Sequence, residues 1–221
     1  MRSKYDGASS NIQRGDTGAV DRSQGAARAI SSFIDPSLSW ADIPYFQSIT
    51  SMPIVLKGVQ RVEDVLKAID YNIPAVVLSN HGGRQLDTAP SAIEILAELM
   101  PELRRRGIAH KIEIFVDGGV RRATDIIKAL CIGATGVGIG RPFLYAMSAY
   151  GEPGVDRAMQ LLRDEFEMNM RLIGARSVSE LTPDLVDARG LLTHTVLTPA
   201  DSLALVAYDP LAAPGFAKSK L

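Results

Sequence analysis

His81 and Arg84 sit on one short turn, Leu78-Ser79-Asn80-His81-Gly82-Gly83-Arg84-Gln85-Leu86-Asp87, directly after the apolar run Pro74-Ala75-Val76-Val77-Leu78. A buried strand ending there would deliver both side chains together. Histidine moves its proton near neutral pH, and the planar fork of arginine matches a carboxylate. Gly82 and Gly83 between them let backbone approach a flat ligand. The pattern predicts a site that takes a proton from a small carboxylic acid while holding its carboxylate. A core histidine satisfied by its neighbours is the bland alternative, and a glycine-flanked turn beside an arginine is a poor setting for one. His110 and His194 stand in polar loop contexts and read as solvated.

Two further stretches, Asp117-Gly118-Gly119-Val120-Arg121 and Gly138-Ile139-Gly140-Arg141, repeat glycines followed by arginine. Glycines expose backbone N–H groups, a helix N-terminus adds partial positive charge, and arginine completes an anion cradle. Either stretch alone could be only a turn; two in succession point to phosphate. Lys57 closes the apolar run Pro53-Ile54-Val55-Leu56 before Gly58. At a strand exit, a functional lysine and an ordinary surface lysine stay equally open. Cys131 falls in a helical pattern, so a small buried thiol is expected and not a nucleophile. No metal-ligand cluster is read.

These residues need elements to position them. Residues 1–32 are rich in Gly, Ser, Asp and Arg without periodicity and read as a mobile loop. From Phe33 the pattern becomes regular, with a short helix expected over Trp40 to Ile49. Four strands are predicted: Pro53 to Leu56 ending at Lys57-Gly58, Ala75 to Ser79, Ile112 to Val116, and Gly136 to Ile139. Helical spacing follows each one. The stripes are Val62, Val65, Leu66 and Ile69; then Ile93, Leu96, Leu99 and Leu103; then Ala123, Ile126, Ile127 and Leu130, stopped by Gly133. After Pro142 a short helix precedes a long one, with Pro153 at its entry, Val155, Met159, Leu162, Phe166 and Ile173 inward, and Gly174 at its exit. Ser177-Val178-Ser179-Glu180 has the form of a capping box and starts one further turn. Arg104-Arg105-Arg106 reads as a basic last turn complementing the helix dipole, over a phosphate or nucleic-acid patch.

Four strand–helix units with nearly continuous apolar strands imply parallel strands covered on both sides. Lys57, His81 with Arg84, Asp117 and Arg141 recur at the C-terminal ends of those strands, the layout of the catalytic face of a (β/α)₈ barrel. Eight units close such a barrel. The fold expected is therefore α/β, the C-terminal half of a TIM barrel over residues 33–192, with the N-terminal half absent and a tail over 193–221.

Apolar residues make up 46% and charged residues 22% of the 221, with net charge −1. Nothing in that balance favours nucleic acid or an anionic membrane as a partner. One cysteine excludes an internal disulfide and fits a reducing compartment. No apolar run approaches a membrane span, and no secretory signal is read. The sequence ends Ser219-Lys220-Leu221, the peroxisomal import signal, which implies an import receptor as a partner. A tail ending so by chance would leave the cytoplasm or the mitochondrion as the alternative.

Five segments together resemble the FMN-dependent 2-hydroxy-acid oxidases and dehydrogenases, of the glycolate oxidase and fungal L-lactate:cytochrome c dehydrogenase type. They are Phe33-Ile34-Asp35-Pro36-Ser37-Leu38, Leu56-Lys57-Gly58-Val59, Ser79 to Asp87, Val116-Asp117-Gly118-Gly119-Val120-Arg121, and Gly138-Ile139-Gly140-Arg141-Pro142. The likeness runs from about Arg2 to about Leu191. It implies that His81 is the base that deprotonates a small L-2-hydroxy acid, lactate or glycolate, and that Arg84 holds its carboxylate. It implies that Lys57 lies against the N1/O2 edge of FMN, where a cation stabilises the reduced cofactor. Ser79, Asp117, Gly118, Gly119, Arg121, Gly140 and Arg141 would hold the rest of FMN, its ribityl chain and phosphate included. Met1 aligns within the loop after the fourth barrel strand of the family, so the remaining flavin and substrate contacts are expected outside this sequence, and no fused haem domain is expected. A truncated, non-catalytic fragment retaining only the phosphate cradle is the alternative. Open barrel edges would also favour self-association.

Overall fold

The computed structural model describes Asp35 and residues 37–193. The expected N-terminal loop, the residues Phe33, Ile34 and Pro36, His194, and the tail with Ser219-Lys220-Leu221 lie outside the described residues. The chain divides into two compact units, Met1–Met52 and Pro53–Leu221.

In the first unit a 3-10 turn, Trp40–Asp42, leads into helix α1, Ile43–Ile49. The Asp42 carboxylate accepts the Ser39 backbone N–H at 2.7 Å and its hydroxyl at 3.0 Å, satisfying donors that a helix start leaves open. The helix expected over Trp40 to Ile49 is present, in two pitches.

The second unit is built on four strands, β1 (Val55–Val59), β2 (Ala75–Leu78), β3 (Glu113–Asp117) and β4 (Gly136–Gly138), all parallel in the order β1-β2-β3-β4. Helices α2 (Val62–Asp70), α3 (Ala92–Arg105) and α4 (Ala123–Ile132) connect them, and α5 (Arg141–Leu172) follows β4. Each crossover advances one strand, so right-handed connections lay the helices on a single face. Burial alternates along β3: Ile114 and Val116 are buried, Phe115 and Asp117 only partly, and Glu113 is exposed. Leu96, Leu99 and Leu103 of α3 are fully buried with Val76, Leu78 and Ile114. A satellite cluster joins Ile127 and Cys131 of α4 to Met170 of α5, Ala175 and Leu181. Burial pushes the Cys131 thiol pKa up, in keeping with an inert core thiol.

Several boundaries differ from the expectations. Strand β1 starts at Val55 and continues through Lys57 to Val59, with a register shift at Gly58, whose φ is +94°. Lys57 is thus inside the strand and not at its exit. Cover on both sides is not complete: on the face that carries Lys57, Val55 is 46% exposed, Glu113 is exposed and Phe115 is only partly buried, while the opposite face with Val76, Leu78 and Ile114 is buried. Ile93, Ile126 and Leu130 are half-buried, and the α3 stripe is widened by Ala92, Ile95 and Met100. Helix α5 is interrupted by Gly151 at φ +65°, ψ −152°, giving the short and long helices expected. At that kink a Cβ on Gly154 would stand 2.3 Å from the Ala146 carbonyl oxygen, so only glycine fits. Met159 and Ile173 are exposed, contrary to expectation, and Met170 takes the inward position by packing on Ile127 and Cys131. The capping box at Ser177 does not form. The Glu180 carboxylate reaches one residue too far and accepts the Arg176 N–H at 2.9 Å, although a 3-10 turn, Val178–Glu180, does follow.

Candidate active site at the strand ends

Strand register sets the first part of the site. Lys57 pairs with Val77, and Val77 with Phe115, so the three share one face of the sheet. Two residues further along, Ser79 and Asp117 point the same way, because side chains alternate with period two. That face is the one opposite buried Val76, Leu78 and Ile114. The Lys57 ammonium donates to the Asp117 carboxylate and, at 3.1 Å, to the Ser79 hydroxyl; the Ser79 hydroxyl donates to Asp117. Ser79 is the only buried polar residue among those described, and these bonds offset the desolvation of its hydroxyl. The Lys57 side chain is half exposed and Asp117 is 24% exposed, so this cluster opens to solvent from above.

The turn after β2 grows out of the same hydroxyl. Ser79 Oγ accepts the His81 backbone N–H at 2.9 Å. His81, Gly82 and Gly83 then follow with φ of +57°, +66° and +77°, three successive left-handed residues. A non-glycine residue there is uncommon and needs outside support. Asn80 supplies it from one side: its side-chain oxygen accepts the Gly83 N–H at 3.0 Å, and its carbonyl accepts both Gly83 and Arg84 N–H at 3.2 Å. Gln60 donates to the Ser79 carbonyl at 3.3 Å. The result is a hydrogen-bonded backbone carrying exposed His81 and Arg84 side chains.

The turns after β3 and β4 close over it. Gly118 and Gly119 have φ of +92° and +77°. A Cβ on Gly118 would stand 3.6 Å from Asn80 Oδ1 and 3.9 Å from Gly82 Cα, so the β3 turn rests against the β2 turn. Above Gly119 and Gly140 there is open space where a side chain would project. Arg141 opens α5 directly after Gly140 and donates from Nη2 to the Gly82 carbonyl. A Cβ on Gly82 would meet that nitrogen at 2.9 Å.

Lys57, Ser79, His81, Asp117, Gly118 and Arg141 thus form one hydrogen-bonded or touching group, with Gly119 and Gly140 open at its rim. Arg121 departs from it. Its backbone N–H and that of Arg122 bond Asp125 at 3.0 Å, and both residues border a concavity with Phe143 and Leu161. Arg122 in turn pairs with Glu165, which also caps α4 by accepting the Ala123 N–H at 2.9 Å. The Arg122 guanidinium, then that backbone bond, hold the Glu165 carboxyl below the usual carboxylate range. Asn80 and Gln60 hold the turn without having been assigned a role from sequence. An asparagine just before left-handed glycines was the available signal for the first; Gln60 carried none.

A family model described as FMN-dependent dehydrogenase matches residues 2–188. The L-lactate dehydrogenase (cytochrome) of Wickerhamomyces anomalus is 61% identical over 203 residues, covering 92% of this chain and 35% of that protein. Glycolate oxidase 3 of Arabidopsis thaliana is 45% identical over 174 residues, covering 78% of this chain and 46% of its own length. Among solved structures, the recombinant flavin-binding domain of baker's yeast flavocytochrome b2 superposes with a TM-score of 0.73 at 55% identity, covering 88% of this chain and 49% of that one. The chain spans about a third of the length of the lactate dehydrogenases it matches and about half of that flavin-binding structure.

Proposed function

The chain belongs to the FMN-dependent dehydrogenase family, and from that premise we propose that it carries the base-bearing, phosphate-holding part of a site oxidising a small L-2-hydroxy acid, lactate or glycolate, to its 2-oxo acid. The observation that carries this reading is the left-handed His81–Gly83 turn, anchored through Ser79 to the same cluster that contains Lys57 and Asp117.

The residues fit FMN by their chemistry. Gly119 and Gly140 leave open space in the turns after β3 and β4. Gly140 directly precedes α5, where the helix dipole favours a phosphate, whereas the N–H groups opening α4 are taken by Asp125 and Glu165. Arg141 uses one N–H on Gly82 and keeps others for an anion. Lys57 presents a half-exposed ammonium on the inner face of the sheet, suited to the electron-rich edge of a flavin, with Ser79 and Asp117 fixing its position. Arg121, on the turn between β3 and α4, would add a second guanidinium to the anion site. FMN, when bound, supplies the two-electron acceptor.

His81 then acts as the general base. Its imidazole stands free on a backbone held at both ends, so it can take a proton from the hydroxy acid without the turn rearranging. Arg84, three residues on, offers the fork that holds the substrate carboxylate. In any preparation that oxidises lactate or glycolate and contains these residues, His81→Gln is expected to lower turnover by about 10²–10⁴-fold with FMN retained. Turnover within threefold of the parent would remove His81 from the role.

The second reading is a non-catalytic piece keeping only the phosphate cradle, supported by the open space above Gly119 and Gly140 beside Arg141. It differs in one outcome: anion binding persists while no hydroxy acid is oxidised. For location we propose the peroxisome, on the strength of Ser219-Lys220-Leu221. The last residues fused to a fluorescent protein should give punctate import that deletion of Leu221 abolishes; diffuse fluorescence from the intact peptide would refute it.

A further inference from the structure

We propose that Arg141 is a positioning residue for the His81–Arg84 turn, so that filling the anion cradle and holding the base-bearing backbone are one coupled event. This rests on the cradle reading above and extends it to a second job for the same guanidinium.

Three side chains bond the left-handed stretch, and each comes from a different place. The Ser79 hydroxyl takes the His81 N–H from below. Asn80 takes the Gly83 N–H from the near end. The Gly82 carbonyl, between them, is held by Arg141, which arrives from the far side of β3. Without Arg141 that carbonyl has only solvent, and the peptide between the two left-handed glycines is held from one side alone, through the Gly83 N–H on Asn80. The fit is close: a methyl group on Gly82 would overlap Arg141 Nη2 at 2.9 Å and its Cζ at 3.5 Å. Gly118 lies under the same bridge, 3.9 Å from Gly82 Cα by its would-be Cβ, so the β3 turn is the floor across which the arginine reaches.

Arg141 is also the first residue of α5, next to open Gly140. An anion seated at that helix start would draw on the same guanidinium. Arginine presents five N–H groups in a fixed fork and can serve a carbonyl and an anion together; lysine, a point donor on a flexible stem, holds that geometry poorly. Anion occupancy would then lower the mobility of the guanidinium and, through Gly82, of the turn bearing His81 and Arg84.

Backbone amide exchange, followed by NMR on the full chain with inorganic phosphate as the probe, tests this. The reporters are the Gly83 and Arg84 amides, both bonded to Asn80, with Ile114 and Val116 as the fold control. Saturating phosphate is expected to slow exchange at Gly83 and Arg84 at least threefold. Arg141→Gln should speed it about tenfold without phosphate and abolish the phosphate effect, while Arg141→Lys binds phosphate but leaves the turn fast. If phosphate shifts Gly119 and Gly140 and leaves Gly83 and Arg84 unmoved, the coupling is wrong and the cradle stands. If phosphate shifts neither glycine, the cradle reading falls and the coupling with it. Should Arg141→Gln lose protection at Ile114 and Val116 as well, the phosphate titration of the parent chain and Arg141→Lys decide the matter alone.

Discussion

The two middle strands and the two outer strands of this sheet carry the same kind of residue to the same end, yet in different company. Ser79 and Asp117 follow β2 and end β3, with neighbours on both sides, and their polar atoms are spoken for by several bonds each. Lys57 on β1 and Arg141 after β4 are exposed side chains that reach inward to those middle positions. The fixed points of the site are thus set by the middle of the sheet, and its charges are borne by the outer strands. A cation on an outer strand stays accessible to a ligand; a hydroxyl on a middle strand keeps one geometry.

The contrast should be largest in stability. Leu78→Ala on β2 removes a fully buried side chain and is expected to cost about 2–5 kcal/mol in denaturant unfolding. Val55→Ala on β1, 46% exposed, should cost under about 1 kcal/mol. Equal losses at the two positions would erase the distinction between the helix-covered middle of the sheet and the open face of its outer strand.

A smaller effect is expected in association. Strands β1 and β4 each have one hydrogen-bonded neighbour among the described residues, and unpaired edges of parallel sheets invite strand addition. The 221-residue chain should therefore run as a dimer or larger species in size-exclusion chromatography with light scattering. A monodisperse 23.8 kDa species with a cooperative thermal transition would contradict this.

The same contrast explains what could be read in advance. Strands ending in His-Gly-Gly-Arg, Asp-Gly-Gly and Gly-Arg-Pro were legible because apolar runs stop abruptly at residues that only turns accept. Their parallel order followed from the alternation of strands and helices. Contacts between distant turns were not legible. Nothing in the spacing of Gly140 and Arg141 announces a bond to Gly82; Gly58, a lone glycine after an apolar run, was the available signal that β1 continues past Lys57 through a register shift. Met159 fits the helical stripe as well as Met170 does, and only the placement of Ile127, Cys131 and Leu181 decides between them. Glu180, poised by sequence to cap at Ser177, is claimed by Arg176. Where partners lie within four residues, periodicity and turn chemistry narrow the choice to a few, as for Glu180 between Ser177 and Arg176; where they lie 59 residues apart, as for Arg141 and Gly82, only the fold brings them together.

The central claim is that these strand ends form a single site which holds FMN by its phosphate. Amide shift mapping of the chain with FMN, set against riboflavin, which lacks the phosphate, tests it most directly. FMN is expected to move the amides of Gly118, Gly119, Gly140 and Arg141, and riboflavin at the same concentration to leave Gly119 and Gly140 in place. Equal shifts from both ligands, or shifts confined to residues away from these turns, would contradict it.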